Sequence, residues 1–568
     1  MNTKEKILLL IIILFGFFLR FYGINWDATC CQHPDERAIV MYTTPLSFPK
    51  NIDQFLTPQS PLNPHFFAYG NFPLYLLKGA SLLAGNIDPS FLQYDKINLI
   101  GRLISIISDT GTIIIIFLLG KILFNKKSGF LAAFVYAVSA LPIQYSHFFT
   151  SDILLTFIIS LILLTVINFY KKPSLKSAIF IGILFGLALA TKISAIPIII
   201  SITLAITLDF LFIFTKSPHK PKLWINHLPH VVKKLISEWV LIMLIAFITF
   251  SISQPYAIID SQEFVNQNML QSMMTKNPYI FPYTLQYVGK IPYIYELKNI
   301  FLWGLGPIIS VLSFAGLALT FFNFKKYKQD KKAEIILISA FLISYFAVVG
   351  SFAIGFMRYL LPIYPLLAIF GGFCFYKLFE LFASFIKNSY AITFLKFVVI
   401  LLVLIWPLSF VSIYSRVNTR IDATNWINKN IPQNSTIAIE HWDDRLPLNS
   451  PNTYNFSELT MYDQPDNAQK WQVLSSKLSG SNYLIIASNR LYVPIQKLSN
   501  CNKYKVCYPL ASQYYKALFS GKLPFKLVSE FTSYPTIPFT NIKIPDDTAD
   551  ESFTVYDHPK IYIFKKTP

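Results

Sequence analysis

Two neighbouring carboxylates, Asp35 and Glu36, follow His33 and Pro34 shortly after the first apolar stretch of the sequence. A carboxylate held beside a low-dielectric boundary accepts a proton from a hydroxyl nucleophile, which is the task of a general base. The same acids are also typical of a surface helix that begins after Pro34, because acidic side chains favour the first turn of a helix. The spacing alone leaves both interpretations open.

A third acid, Asp152, ends the polar and aromatic stretch Gln144–Asp152, which also contains His147. Because Ile-Leu-Leu follows it directly, Asp152 is also a candidate N-cap for the next helix. Both roles are compatible. If the acids meet on one membrane face beside His33 and His147, they form a polar cavity that would bind a sugar or a divalent metal ion.

Two cations, Lys192 and Arg358, are expected on the same side as these acids. Ionisable residues at helix ends commonly extend towards lipid headgroups. The alternative is that they bind the phosphate of a lipid, which lies at this depth and is bound well by Arg and Lys. Asp109 falls inside an apolar stretch, where an exposed charge is costly, so it should face the interior of the helix bundle.

The elements that position these residues are apolar. Hydrophobic residues make up 54% of the 568 residues and charged residues only 14%, whereas a soluble domain carries roughly 25% charged residues. Disorder is excluded because aromatic residues reach 16% and disordered chains are poor in aromatics. Five cysteines in this length exclude a disulfide scaffold. The composition therefore predicts an α-helical polytopic membrane protein.

About eleven apolar stretches approach the roughly 20 residues that cross a hydrocarbon core of about 30 Å. The first has Lys4 and Lys6 before it, as a signal peptide does, but no small-residue cleavage site follows, so we expect a retained helix. The stretches lie near residues 6–24, 102–123, 129–146, 153–170, 177–191, 194–215, 239–254, 301–323, 335–353, 359–378 and 391–413.

Lysine clusters occupy alternate turns between these stretches, which is the positive-inside pattern and predicts a cytoplasmic N-terminus in a plasma (inner) membrane. These turns account for most of the net charge of +19 without a nucleic-acid partner. The clusters are Lys126–Lys127, Lys171–Lys176, Lys216–Lys234, Lys325–Lys332, and Lys387 with Lys396. Three segments are then expected outside: 27–100 with the acidic motif, 255–300, and everything after about residue 414.

The sequence thus divides into a transmembrane domain, 1–413, and an extracytoplasmic soluble α/β domain, 414–568. Cys501 and Cys507 bracket a short polar loop, where oxidising surroundings would permit a disulfide, and the pairing is left open. The elements predicted in the second domain are a helix at Asp422–Asn428, strands at Ser435–Glu440 and Tyr483–Ser488, and a closing hairpin of Phe553–Tyr556 with Ile561–Phe564.

Seven short motifs resemble bacterial GT-C glycosyltransferases of the branch related to protein O-mannosyltransferases and aminoarabinose transferases. The resemblance covers residues 1 to about 413, and the acids, the Lys and the Arg-Tyr pair fall in the family's order. The motifs are Arg20–Gly23, His33–Arg37, Tyr69–Tyr75, Gly101–Arg102, Ser146–Asp152, Ala190–Lys192 and Arg358–Pro362.

The resemblance implies a GT-C fold and transfer of a sugar from a polyprenyl-phosphate carrier to an envelope glycan, lipid or protein hydroxyl. By motif position Asp35 is the base and Asp152 the second acid, which in the family helps to shape the acceptor or metal site. Membrane lipids are expected partners, and a divalent metal is left open. The candidate catalytic residues are Asp35, Glu36 and Asp152, and the candidate substrate-binding residues are His33, Arg37, Tyr69, His147, Lys192, Arg358 and Tyr359.

The sequence departs from the family at Gly70–Pro73, where the aminoarabinose branch has a Glu-Lys-Pro run that contacts carrier phosphate. An aminoarabinose substrate is therefore doubtful. The main rival function is a transporter or flippase, which should show interrupted helices in matching halves and polar groups near the bilayer midplane. A noncatalytic scaffold for envelope assembly is the third alternative, and it would tolerate loss of Asp35, Glu36 and Asp152 together.

Overall fold

The computed structural model describes residues 1–216, 226, 228–229 and 232–567. Lys220 and Lys222, from the third predicted lysine cluster, lie outside the described residues. Helices are the regular elements of the described residues up to 415, and residues 419–567 form a five-stranded sheet with helices on both faces.

Eighteen α-helices are found among the described residues of the first part. A 3-10 helix, Met357–Ile363, leads directly into one of them and carries Arg358. The α-helices are Thr3–Phe21, Pro34–Thr43, Ile52–Phe55, Phe72–Gly85, Ile97–Leu123, Lys126–Ala137, Ala140–Ser146, Ser151–Lys171, Leu175–Thr191, Ile198–Lys216, Val240–Ser253, Tyr256–Ile259, Ser261–Lys276, Ile294–Asn299, Pro307–Phe322, Gln329–Gly350, Tyr364–Phe385 and Ser389–Val411.

Every one of the eleven predicted apolar stretches contains helix. Among the described residues, six helices are long and apolar enough to cross a membrane, or seven if Lys126–Ala137 and Ala140–Ser146, which meet at 56°, form one bent span. The protein is therefore a multi-pass membrane protein. The count of eleven stays a prediction, because Leu175–Thr191 and Pro307–Phe322 have only 17 and 16 residues and a span needs about 20.

Small residues allow these helices to approach closely. A Cβ placed on Gly316 would lie 1.9 Å from the carbonyl oxygen of Phe370, and one on Gly186 would lie 2.5 Å from that of Ala246. Close backbone approach is the usual packing mode of membrane helices, because lipid supplies no hydrophobic drive for their association.

A buried ion pair fixes the first helix against the helix Ile97–Leu123. Nε of Arg20 donates to Oδ2 of Asp109 over 2.6 Å, and both side chains are fully buried. The hydroxyls of Tyr136 and Ser146 also donate to Asp109. Asp109 faces the bundle interior as predicted, and its contacts link the helix Ile97–Leu123 to three other helices.

The second part, residues 419–567, is a three-layer α/β domain. Its sheet has the order β2-β1-β3-β5-β4, with β1 parallel to β2 and β3, and β5 antiparallel to β3 and β4. The strands are β1 Thr436–Glu440, β2 Asn455–Leu459, β3 Tyr483–Ile486, β4 Phe525–Phe531 and β5 Ile561–Lys566, and the helices are Thr419–Asn430, Ala468–Ser479, Tyr492–Lys497, Pro509–Phe519 and Glu551–Thr554.

Alternating residues of the central strands face opposite layers. Ala438 and Leu484 pack under the helices Ala468–Ser479 and Pro509–Phe519, whereas Ile437 and Ile485 pack against Thr419–Asn430. This alternation follows from the two-residue period of a strand. The helix predicted at Asp422–Asn428 and the strands predicted at Ser435–Glu440 and Tyr483–Ser488 are confirmed, the strands as β1 and β3. The strand β2 was not predicted, and Cys501 forms a disulfide with Cys507.

The predicted closing hairpin is wrong. Phe553 and Thr554 end a short helix that Asp550 caps by accepting from the amide of Ser552, and β5 pairs with β3 and β4 instead. The segment that follows the helix packs against the transmembrane domain through Tyr556. Aromatic and β-branched residues follow one another in this segment, as they do in a buried strand. Here they are buried by the contact between the two domains and not by a sheet.

Candidate active site

The acidic motif begins a helix in the way the sequence indicates. His33 is the N-cap of Pro34–Thr43, and its Nδ1 accepts from the amide of Asp35 over 3.2 Å. Pro34 and the two acids occupy the first turn. Since successive residues of a helix point about 100° apart, Asp35 and Glu36 enter different surroundings.

Glu36 is held in a fully buried cluster with Arg102 and Asp27. Nε and Nη2 of Arg102 donate to the two oxygens of Glu36 over 2.9 and 2.6 Å. Nη1 and Nη2 donate to those of Asp27 over 2.9 and 2.8 Å. The backbone amide of Phe149 also donates to Glu36, over 2.9 Å. Glu36 therefore ties the first loop to the helix Ile97–Leu123 rather than joining Asp35.

Asp35 and Asp152 converge with Lys192 and Arg358 in an alternating row of charges. Nη2 of Arg358 lies 2.9 Å from Oδ2 of Asp35, and Nε of Arg358 lies 3.8 Å from Oδ2 of Asp152. Nζ of Lys192 donates to Oδ1 of Asp152 over 2.6 Å. Both cations thus face carboxylates inside the protein, which removes the interpretation that they extend to lipid headgroups.

The guanidinium of Arg358 has donors to spare. The residue is 5% exposed, and its Nε and Nη1 form no hydrogen bond with any described residue. The rings of Phe356 and Tyr359 lie 4.5 and 5.3 Å from its central carbon. A buried donor without a partner costs about 1–3 kcal/mol, so this planar fork is poised to bind an anion.

Tyr69 and Tyr359 flank the other cation. Nζ of Lys192 lies 5.9 Å from the ring centre of Tyr69 and 4.8 Å from that of Tyr359. These three residues line one wall of a cavity of about 300 Å³, and the helix Ser261–Lys276 lines another. Its lining combines apolar side chains such as Val349 and Phe352 with polar side chains of that helix such as Gln271.

Gly70 is what brings Tyr69 to Lys192. The amide of Gly70 donates to the carbonyl of Thr191 over 3.1 Å, and a Cβ on Gly70 would lie 1.8 Å from the carbonyl oxygen of Ala190. Only glycine allows the first loop this close to the end of Leu175–Thr191. The sequence departure at this position is therefore a packing requirement of the site.

Electrostatics keep Asp35 ionised. Burial raises the pKa of its carboxyl, but the Arg358 guanidinium outweighs burial and holds that pKa below its usual value. Burial and the charge of Asp35 raise the pKa of Tyr69 well above its ordinary value, so its hydroxyl stays protonated. At neutral pH the site thus carries an acceptor carboxylate beside a cation.

His147 and Arg37 lie apart from this row. Both ring nitrogens of His147 lie 2.8 Å from carbonyl oxygens, those of Ile143 and Tyr22, so the ring joins two segments. Nη2 of Arg37 donates to Asp444 of the α/β domain over 3.0 Å. Of the predicted residues, the structure brings together Asp35, Asp152, Tyr69, Lys192, Arg358 and Tyr359, with His33 next to them.

Two tyrosines that the sequence reasoning did not single out also belong to this region. The ring centre of His33 lies 6.1 Å from that of Tyr145 and 4.1 Å from that of Tyr556, which belongs to the α/β domain. Tyr145 falls inside the stretch Gln144–Asp152, which was a usable signal. Tyr556 sits more than 500 residues from His33 in sequence, and only the domain contact places it here.

Among the described residues, no group of three His, Cys, Asp or Glu side chains could hold a metal ion. The two site carboxylates, Asp35 and Asp152, are already paired with Arg358 and Lys192. A divalent cation would have to displace these cations, so this donor set does not fit one.

Residues 96–252 match the family model of dolichyl-phosphate-mannose-protein mannosyltransferases. No curated protein matches the chain. Among solved structures, the apo oligosaccharyltransferase of Archaeoglobus fulgidus matches with a TM-score of 0.51 and 14% identity, over 96% of this chain and 75% of that one.

The complex of the same archaeal enzyme, AglB, with an inhibitory peptide and a dolichol-phosphate gives a TM-score of 0.50 at 14% identity over the same shares, 96% and 75%. ArnT from Cupriavidus metallidurans bound to undecaprenyl phosphate matches with a TM-score of 0.46 and 11% identity, over 99% of this chain and 98% of that one. The fold is that of a GT-C membrane protein. Over residues 96–252 the chain resembles the O-mannosyltransferases, as the motifs indicated.

Proposed function

We propose that this protein transfers a sugar from a polyprenyl-phosphate carrier to a hydroxyl group of an envelope acceptor. The observation that carries the proposal is the buried fork of Arg358, which has two unpartnered donors and lies 2.9 Å from Asp35. The matched family is described by a dolichyl-phosphate sugar, and AglB was solved with a dolichol-phosphate. Both descriptions agree with a lipid phosphate as the ligand of this fork.

The charges of the site suit a phosphate as leaving group. Asp35 and Asp152 balance Lys192 and Arg358, so an incoming phosphate brings the excess negative charge and competes for the cations. The planar fork of Arg358 can bind two phosphate oxygens at once, and Lys192 adds a point charge. As the bond to the anomeric carbon breaks, these cations stabilise the charge that gathers on the phosphate.

Asp35 is the proposed base. When a phosphate draws Arg358 towards itself, the cation that holds the pKa of Asp35 low is shared, and the carboxylate becomes a better proton acceptor. Asp35 takes the proton from the acceptor hydroxyl. At the same time the hydroxyl oxygen of the acceptor attacks the anomeric carbon from the face opposite the phosphate. The sugar is transferred with inversion, and the carrier phosphate leaves without being protonated.

The proposed orientation places this site outside the cytoplasm. Asp35 and Asp152 lie at the ends of helices opposite the lysine-rich turns such as Lys325–Lys332, and such turns favour the cytoplasmic side. Nucleotide sugars are absent outside the cytoplasm, so an activated donor there must arrive on a lipid. The α/β domain, which contacts the first loop through Arg37 and Asp444, lies on the same side.

The direct test compares envelope glycans in a deletion strain complemented with the wild-type protein, with Asp35→Asn or with Asp53→Asn. Asp53 is an exposed acid of the same loop and serves as the matched control. We expect mass spectrometry to show one missing sugar residue in the deletion strain, restored by the wild type and by Asp53→Asn but not by Asp35→Asn. Restoration by Asp35→Asn at equal protein levels would contradict the proposal.

A further inference from the structure

A cavity of about 740 Å³ lies at the end of the helix bundle opposite the candidate active site. It is lined by the last turn of the helix Ser151–Lys171 and the first turns of Gln329–Gly350. Asp152 of the active site lies in the first turn of the same helix that Lys171 ends. At a rise of 1.5 Å per residue these two residues are about 28 Å apart, which is close to the hydrocarbon thickness of about 30 Å. The cavity thus lies at the level of lipid headgroups on the other face of the membrane.

The lining of this cavity is basic. Four lysines face two carboxylates, so the lining carries a net charge of +2. Nζ of Lys171 lies 2.5 Å from Oε1 of Glu334, and Nζ of Lys331 lies 2.6 Å from Oε2. Two lysines thus share the single charge of the buried Glu334, and one positive charge is left over. The charged residues of the lining are Lys171, Lys326, Lys328, Lys331, Asp330 and Glu334.

Lys326 and Lys328 add to this excess of positive charge. Both are exposed, and neither side chain forms an ion pair or a hydrogen bond with another residue in the described part of the chain. Asp330 offsets only one of these two charges. Lys328 is the N-cap of Gln329–Gly350, and its side chain makes no cap hydrogen bond. The N-cap therefore supplies no acceptor for the first amides of this helix, and the positive end of the helix dipole favours an anion here.

Two tyrosines give the cavity an apolar wall. Tyr170 and Tyr327 line it and pack, partly buried, against the transmembrane core. Tyrosine is enriched where a membrane meets water, because its ring is apolar and its hydroxyl is polar. Lysines are expected on this face from the topology alone, but here four of them and two tyrosine rings line one cavity. A lipid with its phosphate among the lysines and its glycerol near the rings matches this arrangement.

We propose that this cavity binds the phosphate group of an anionic membrane lipid, in the leaflet opposite the candidate active site. A phosphate supplies the negative charge that Asp330 and Glu334 leave unmatched, and lysine binds phosphate well. A soluble phosphate ester would gain the same charge pairing, but it lacks the acyl chains that hold a lipid headgroup at this depth. The site is separate from sugar transfer, because the helix Ser151–Lys171 places the two at its opposite ends.

The experiment titrates lipids into the detergent-purified full-length protein and measures bound lipid by native mass spectrometry. The lipids are phosphatidylglycerol, which is anionic, and phosphatidylcholine with the same acyl chains, whose ammonium cancels the phosphate charge. The ionic strength is about 0.15 M, at which exposed charges more than about 8 Å away are screened. Glycerol 3-phosphate is added in a separate series as a soluble competitor.

The test variant combines Lys326→Gln with Lys328→Gln, which breaks no side-chain contact within the described part of the chain. The matched control combines Lys172→Gln with Lys176→Gln. These two lysines are exposed, follow Lys171 closely in sequence and are not among the residues that line the cavity. Both double variants therefore remove the same charge, but only the first removes it from the proposed site.

We expect the wild type to bind phosphatidylglycerol more tightly than phosphatidylcholine. Loss of Lys326 and Lys328 should weaken phosphatidylglycerol binding about 30-fold, whereas the control pair should bind it as the wild type does. Equal affinity of the wild type for the two lipids, or unchanged binding in the test variant, would overturn the proposal. An equal loss in the control pair would also overturn it, because the preference would then belong to the charge of the whole face. Displacement of the lipid by millimolar glycerol 3-phosphate would overturn the assignment to a lipid.

Discussion

Arg358 and Asp35 meet at 2.9 Å inside the protein, although they lie near opposite ends of the transmembrane part of the sequence. The contact joins the 3-10 helix Met357–Ile363 to the first turn of Pro34–Thr43. It pairs the candidate base with the residue that is proposed to bind the phosphate. Donor binding and base strength are therefore expected to be coupled through this one guanidinium.

Asp35→Asn should abolish transfer while leaving the protein folded, because the amide keeps the shape of the side chain but cannot take a proton. Loss of a general base costs about 10²- to 10⁴-fold in rate. Turnover by the purified variant with a hexosyl carrier measures the effect. Near-normal turnover of Asp35→Asn would remove Asp35 from the mechanism. The control Asp53→Asn, at an exposed acid of the same loop, measures the general effect of an Asp-to-Asn change there.

Arg102→Ala should destabilise the protein strongly, because it leaves Asp27 and Glu36 as buried carboxylates without a counterion. Removing one partner of a buried ion pair costs about 3–5 kcal/mol. Thermal unfolding in detergent would show a lower midpoint than in the wild type.

Glu36→Gln separates structure from catalysis at the neighbouring acid. Since Glu36 contacts Arg102 rather than Asp35, the folded fraction of this variant should retain transfer. A loss as large as that of Asp35→Asn in folded Glu36→Gln would return Glu36 to the catalytic residues.

Arg358→Lys should weaken carrier binding while expression and membrane insertion stay normal. Lysine keeps the charge but loses the planar fork, and a hydrogen bond to a charged group contributes about 1.5–3 kcal/mol, or about 10- to 150-fold in affinity. Titration with undecaprenyl phosphate measures the affinity for the carrier, and Arg445→Lys at an exposed arginine serves as the control. If Arg358→Ala and Lys192→Ala bind the carrier normally, singly and together, another group holds the phosphate.

The pH profile of transfer should report the pairing of Asp35 with Arg358. Because the cation lowers the pKa of Asp35, the carboxylate form is present at neutral pH and is lost only as pH falls through that lowered value. In Arg358→Gln the pKa of Asp35 should rise, because the neighbouring positive charge is removed while the burial of the carboxyl remains. This rise moves the acidic limb of the residual activity to higher pH. An acidic limb that does not move would show that another group titrates.

The C-terminus is predicted to lie outside the cytoplasm. Paired reporters fused after residue 568 test this, one active only in the cytoplasm and one active only outside. We expect activity from the second alone, because the lysine clusters mark the other side. Activity of the cytoplasmic reporter would invert the topology and move the site to the other face of the membrane.

The sequence by itself determined the membrane class, the helical stretches and the motif order of the site. Apolar runs and N-terminal helix signals such as His33-Pro34 act over one or two turns, so they can be identified locally. The motifs also singled out Asp35, Asp152, Lys192 and Arg358 as a set. No local pattern distinguishes Asp35 from Glu36, because both suit the first turn of a helix equally well.

The tertiary structure alone decided which charges pair. Asp35 meets Arg358 and Glu36 meets Arg102 because one helical step turns the two acids towards different helices, and each partner comes from a distant segment. The position of Tyr556 was also decided by the tertiary structure. The residues around it in sequence indicated a strand, whereas in the structure its ring packs against that of His33. Burial between domains leaves the same apolar signature as burial within a sheet, so only the packed chain shows which one applies.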